Sequence, residues 1–202
     1  MPIELLLARH GNTFAKGDKV VWVGARTDLA LTAEGEAQAL RLHAALAAEP
    51  PAYALTGPLQ RTRRHAELAL GGGAVIEIRD ALREIDYGAW EALSTDEIHA
   101  RGGGEALTRW DQHSVWPAAP GWTPSEAQML SNAREILAEV AARAAPRALI
   151  VSSNGVLRFF ARCAENAEGV PDLKVRTGHV CRMAHDAGRW RVEAWNLAPE
   201  AL

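Results

Sequence analysis

The apolar run Ile3 to Ala8 ends in Arg9-His10-Gly11-Asn12-Thr13, which sets a cation, an imidazole, a glycine and two small polar residues in succession. A neutral imidazole is a competent nucleophile toward phosphorus when its second nitrogen is held by an acceptor such as a backbone carbonyl. Gly11 lets the backbone turn sharply and approach a ligand. Arg9 can neutralise oxygens of the group being transferred. Taken alone, His10 reads first as a strand-end histidine that only bonds within the fold.

Two further stretches carry matching chemistry. Thr56 to Arg64 places Arg61 in the first turn of a helix that follows a strand. There the guanidinium and the helix N-terminus can share one anion. Arg63 and Arg64 read as a solvated helix face. The third stretch, Leu82 to Glu91, sets Glu84 among Leu82, Ile85, Tyr87 and Trp90. Apolar surroundings raise a carboxyl pKa, as does a nearby phosphate dianion. A raised pKa suits a general acid that protonates a leaving alkoxide. The alternative is a surface carboxylate in a turn.

In this order the stretches resemble the histidine phosphatase (phosphoglycerate mutase-like) superfamily. Leu7 to Thr13 matches its signature. Asp28-Leu29-Ala30-Leu31-Thr32 with Gly35 resembles the approach to its first helix. Thr56 to Ala66 matches the segment of the second phosphate arginine, Leu82 to Glu91 the acid-bearing segment, and Val151 to Arg158 the place of the last motif. The resemblance spans nearly the whole chain. It implies a phosphomonoesterase that acts through phosphohistidine on a small phosphorylated metabolite. His10 would take the phosphoryl group, Arg9 and Arg61 would clamp its oxygens, and Glu84 would protonate the leaving group. Asn12 and Thr13 would help bind phosphate. No metal and no organic cofactor is expected.

The chain departs from the family at the last motif, which reads Val151-Ser152-Ser153-Asn154-Gly155. Ser153 stands where the family has its second histidine, and Asn154 where it has a glycine. A hydroxyl can donate one hydrogen bond to a phosphoryl oxygen but lacks the charge assistance of an imidazolium. His179, after Gly178, is a candidate to compensate. The alternative is an ordinary strand residue, with Ser153 or Asn154 as the neutral replacement. Lys16 is a further candidate cation for the phosphate pocket, or else a solvent-facing residue.

Other classes fit less well. Ser153 follows a strand, but the nucleophile elbow of serine hydrolases wants glycine where Val151 stands. The seven histidines show no His-x-x-x-His pair. A formal net charge of −3 gives no global field for nucleic acid or an acidic membrane. The remaining rivals are a mutase-type phosphotransferase and an inactive member that binds a phosphorylated ligand or a protein partner. Ser153 favours the inactive member; the pairing of His10 with Glu84 opposes it. Phosphatase is preferred over mutase, because re-donation needs a closed pocket with extra cations. Sugar phosphates, phosphoglycerates, nucleotide-loop precursors and phosphoproteins all remain open as substrates.

These residues need elements to hold them. Ile3 to Ala8 reads as a strand buried on both faces. Thr32 caps a helix to about Ala48, whose apolar side is Leu40, Leu42 and Leu46. Ala52 to Thr56 is a strand, and Pro58 opens a helix reaching Leu70. Val75 to Ile78 is a third strand. Ser94 caps a short helix. Asp111 to Thr123, with Trp116, Trp122 and three Pro or Gly residues, reads as irregular. Ser125 caps a helix to about Ala144, Arg147 to Ser152 is a strand, and a helix follows near Val156. His179 to Ala184 and Trp190 to Trp195 flank a turn and read as a hairpin.

The result is an α/β chain with a mainly parallel sheet flanked by helices. One domain over 1–202 is expected, with an inserted lid around 102–124. Ligands then bind beyond the carboxyl ends of the strands. The stretch Gly17 to Gly24, rich in valine with Trp22, borders the pocket or forms an association surface, so a homodimer stays open. Two cysteines make no disulfide framework. No leader and no stretch long enough to cross a bilayer is evident, so a cytoplasmic protein is expected.

Overall fold

The computed structural model describes residues 2–72, 74–170 and 172–202. Six strands and six α-helices succeed one another among the described residues. They are β1 (Ile3–Arg9), α1 (Ala33–Leu46), β2 (Tyr53–Thr56), α2 (Gln60–Leu70), β3 (Val75–Ile78), α3 (Thr95–Ala100), α4 (Gly104–His113), α5 (Glu126–Arg143), β4 (Arg147–Ser152), α6 (Asn154–Arg162), β5 (Val180–Asp186) and β6 (Arg189–Leu197).

The strands form one sheet in the order β3-β2-β4-β1-β5-β6. The first four run parallel; β5 and β6 are an antiparallel hairpin added beside β1. The registers matter for function. Arg9 pairs with Ser152, Ala8 with Val151 and also with Val180, and Thr56 with Val151. The carboxyl ends of β1, β2 and β4 therefore share one rim with the start of β5. His10, Gly57 and Ser153, each the first residue past its strand, are delivered to that rim.

Both faces of the sheet are covered, as the continuous apolar run of β1 requires. Leu6 and Ala8 join Leu42 and Leu46 of α1 and Ala66 and Ala69 of α2 on one face. Leu5 and Leu7 join Met129, Ile136 and Leu137 of α5 and Phe159 and Phe160 of α6 on the other. Thr32 Oγ1 accepts the Gly35 amide, Ser125 Oγ accepts the Gln128 amide, and Ser94 with Glu97 completes a capping box.

Several expectations need correction. The buried stripe of α1 is Gly35, Ala39, Leu42 and Leu46, spaced four and three apart; Leu40 lies off it and is 51% exposed. Pro58 precedes the Leu59 cap of α2 rather than opening its first turn. The stretch expected to be irregular from Asp111 is helical to His113. Its tryptophans turn inward: Trp110, Trp116 and Trp122 stack edge to face with centroids 4.9 to 6.0 Å apart, and Trp122 also meets Tyr87 and Trp90. Trp22 of the Gly17 to Gly24 stretch packs edge-on against Tyr87 and Trp90 in the same cluster. Among the described residues no helix is long and apolar enough to cross a membrane.

Candidate active site

A cavity of about 880 Å³ opens at the carboxyl rim of the sheet. Arg9, His10, Asn12, Thr13, Lys16, Arg61, Glu84 and Asn154 all line it, so the structure gathers residues from four separate stretches of chain. Ser153 and His179 do not line it. Ser153 is fully buried, and its Oγ has no hydrogen-bond partner among the described residues. His179 is half-buried and bonds through Nδ1 to Asn196 O on β6 at 3.0 Å. Its backbone carbonyl accepts the Arg9 amide at 3.0 Å, while its ring is held on β6.

His10 is 6% exposed at the end of β1. Its amide donates to Ser152 O at 3.0 Å, which ties the loop to β4. Its Nδ1 lies 2.8 Å from Gly11 O. A carbonyl can only accept, so Nδ1 carries the proton and Nε2 keeps its lone pair when the ring is neutral. Burial holds the His10 pKa well below its ordinary value, and the Arg61 and Arg9 charges push it the same way. The ring is a free base near neutrality. Gly11 permits this packing: a Cβ there would stand 2.3 Å from Gly35 O of α1.

The two arginines are held by backbone carbonyls, and among the described residues neither is in ion-pair contact with a carboxylate. Arg9 Nη1 donates to Val175 O at 2.6 Å, and Arg61 donates to Thr27 O at 2.8 Å and Gly24 O at 3.2 Å. Carbonyls orient a guanidinium without cancelling its charge, so the pair can receive an anion. Arg61 is also in the first turn of α2, where the helix N-terminus adds to the field.

Glu84 is 5% exposed, which removes the surface-turn alternative. Burial raises its pKa, while Arg61, the Ile85 amide, Arg9 and the Gly155 amide pull it down; burial prevails. Oε1 accepts the Ile85 amide at 3.0 Å, and the Tyr87 hydroxyl packs beside it against Gly155. Gly155 in the first turn of α6 is what lets the carboxyl approach, since a Cβ there would stand 2.5 Å from Oε1.

Around this core, Asn12 takes the Thr177 hydroxyl on Oδ1, and its amide donates to Gln38 Oε1 at 2.8 Å. Asn154 Oδ1 accepts the Val175 amide at 2.8 Å and so braces the carbonyl that holds Arg9. Lys16 is exposed at the mouth. Lys174, Thr177, Phe14 and Leu107 also line the cavity and carry no motif that would reveal them. Lys174 is already paired with Asp111 at 2.8 Å. Trp22 and its neighbouring valines line the wall, which settles the bordering role of that stretch.

Comparison with known proteins agrees with this geometry. The sequence model of the histidine phosphatase superfamily (branch 1) matches residues 5–198. A relative from Escherichia fergusonii, named "Probable phosphoglycerate mutase GpmB", is 24% identical over 203 residues, covering 96% of this chain and 90% of its own. The solved α-ribazole phosphatase of Shigella flexneri superposes with a TM-score of 0.75 at 24% identity, covering 97% of each chain. Mycobacterial glucosyl-3-phosphoglycerate phosphatase, solved with vanadate, gives 0.81 at 22% identity, covering 96% of this chain and 98% of its own. A buried strand ending in Arg-His-Gly, a carbonyl-held arginine pair and a buried acid at one rim are thus accompanied by a family match over nearly the whole length: the chain belongs to the histidine phosphatase superfamily, branch 1.

Proposed function

We propose that the chain is a phosphomonoesterase that works through a phosphohistidine on His10. The observation that carries this is the neutral His10 ring with Nδ1–H locked on Gly11 O, beside two arginines oriented by backbone carbonyls. His10 Nε2 attacks phosphorus and the bond to the ester oxygen breaks in line. Glu84 delivers its proton to that oxygen, and the alcohol leaves. Arg9 and Arg61 take the negative charge that spreads over the equatorial oxygens. Water then attacks the phosphohistidine, and the Glu84 carboxylate accepts its proton. Phosphate leaves and both residues return to their starting forms.

The cavity favours hydrolysis over mutase chemistry. Besides Arg9 and Arg61 it offers Lys16 and Lys174, and Lys174 is paired with Asp111. Much of the remaining wall is apolar, including Phe14, Val21, Trp22 and Leu107. A phosphoglycerate, with its extra carboxylate, meets few free cations there. An alcohol with an uncharged body fits the wall better. The names of the Shigella flexneri and mycobacterial neighbours support a metabolite phosphatase; that of the Escherichia fergusonii relative favours the mutase alternative. Residues 102–124 supply Leu107 and Trp110 to the wall and would act as the specificity cover. Cys163 and Cys181 are free thiols, which suits a reducing cytoplasm.

The test is a panel of phosphorylated metabolites with purified protein, followed by trapping with labelled phosphoryl donor. The expected adduct is acid-labile and maps to His10, and His10→Ala abolishes both label and turnover. Label on a serine, or full turnover in His10→Ala, defeats the reading. Transfer of label to a phosphoglycerate instead of water would establish the mutase alternative.

A further inference from the structure

His65 is a buried titratable group to which the chemistry above gives no task. It lies in α2 one turn after Arg61 and is fully shielded from solvent. Its Nδ1 accepts the Gly11 amide at 3.1 Å. An amide can only donate, so Nδ1 carries no proton and the neutral ring holds its proton on Nε2. Burial drives the ring pKa down to about 4, which keeps it neutral. Nε2 has no hydrogen-bond partner among the described residues.

Such a ring is a costly way to fill space. A buried N–H without an acceptor is destabilising, and an apolar side chain of similar volume avoids that cost. The compensation lies on the other side of Gly11. The carbonyl of that residue accepts from His10 Nδ1, and its Cα is wedged against the Gly35 backbone of α1. Gly11 is gripped at its amide by His65 and at its Cα by α1, and its carbonyl sets the plane of the His10 ring.

We propose that His65 is a positioning residue for the nucleophile: by accepting the Gly11 amide it fixes the carbonyl that orients His10, so that His10 Nε2 faces the phosphorus. One helix then serves both partners of the transfer. Arg61 meets the phosphoryl oxygens, and His65, four residues on, steadies the attacking ring from behind. His65 touches neither substrate nor phosphorus.

The inference rests on His10 as nucleophile, and the experiment separates the two. Ring nitrogen NMR on the native protein is expected to show His65 neutral with its proton on Nε2, and His10 neutral with its proton on Nδ1. A proton on His65 Nδ1 overturns the proposal. Single-turnover phosphorylation then compares His65→Asn, whose Oδ1 can replace Nδ1, with His65→Leu, which fills space without an acceptor. His65→Asn should stay within about threefold of native, and His65→Leu should transfer on the order of tenfold more slowly, as a slightly misplaced reactant does. Affinity for inorganic phosphate, a ground-state ligand held by the arginines, should be unchanged in both. Circular dichroism confines the comparison to folded protein. A native rate in His65→Leu overturns the positioning role alone, whereas native label on a residue other than His10 overturns both readings. Should His65→Leu not fold, a folded His65→Asn that is tenfold slower than native also overturns it.

Discussion

Arg9 and Arg61 stand within the field of one buried acid, Glu84, and their charges oppose its protonation while burial favours it. The balance leaves Glu84 with a raised pKa before any substrate arrives, and a phosphate dianion pushes it further the same way. Glu84→Gln keeps the shape and removes the proton. Turnover of alkyl phosphates should fall by about a hundredfold or more, the scale of general acid catalysis, while aryl phosphates, whose leaving groups need no proton, lose less than about fivefold. Equal losses on p-nitrophenyl phosphate and an alkyl phosphate would remove Glu84 from that role. His179 points the other way: with its ring on Asn196 O and off the cavity wall, His179→Ala should leave turnover within about twofold of native, far from the hundredfold loss of an oxyanion donor. Steady-state kinetics on one substrate decides this. Arg9, His10, Arg61 and Glu84 were legible because each sits in a motif of unusual composition after an apolar run. His65 was not, because a lone histidine in a helix carries no signal until its partner, 54 residues away in sequence, is known.

At the scale of elements, α2 and α6 do most of the positioning. Each begins just past the carboxyl end of a strand, and each supports the site from its first turns. In α6 the critical residue is Gly155, against which the Glu84 carboxyl, Ile85 and the Tyr87 hydroxyl pack; a Cβ would meet them at 2.5, 2.8 and 2.8 Å. Gly155→Ala removes helix-weakening flexibility and would help an isolated helix by about 1 kcal/mol. Here the clash wins. The variant should lose on the order of tenfold or more in turnover of alkyl phosphates, since the acid is displaced, with a smaller loss on aryl phosphates. A Gly155→Ala protein as active as native would show that the carboxyl moves aside at no cost. The hairpin β5-β6 plays a different part. It seals the β1 edge of the parallel sheet and brings Thr177 beside Asn12. The apolar periodicity announced these elements, but Leu40 shows its limit: three leucines suggested one face, and the actual face recruited Gly35 and Ala39 instead.

Considered as a whole molecule, the protein hides several titratable groups at the rim, and this sets its response to acid. His65 binds its proton near pH 4 when folded and near 6.5 when unfolded. Between those values the unfolded chain holds the extra proton, so stability falls as pH drops, by about 3 kcal/mol for this group over the window. His10, also held below its ordinary value, acts in the same direction. Glu84 acts in the opposite sense, because its raised pKa keeps the proton on the folded state as pH rises past the ordinary carboxyl range. Glu77 and Glu97, held down to about 2 by hydrogen bonds from Arg143 and from the Ser94 amide respectively, lose their contribution only below about pH 4.5. Urea unfolding should therefore show a midpoint that drops between about pH 6.5 and 4.5, and His65→Asn should flatten part of that slope. Parallel slopes in the two proteins would mean that His65 titrates normally in the fold.

Local rules determined the class of the fold, the strand ends and the residue types that meet there, because those depend on periodicity, turn chemistry and side-chain functionality within a few positions. Thus β1 with its Arg9-His10-Gly11 end, the strand leading to Arg61 and the apolar setting of Glu84 were all readable from the sequence. Only the tertiary structure decided which groups share the cavity. The parallel register of β1 with β4 places Ser152 beside Arg9, yet the side chain of Ser153 turns into the fold, and the His179 ring bonds to Asn196 O on β6. The same packing brings His65 under Gly11 and folds the tryptophans of residues 110–122 into the core. Distances between residues far apart in sequence arise from close packing of whole layers, and no local pattern encodes them.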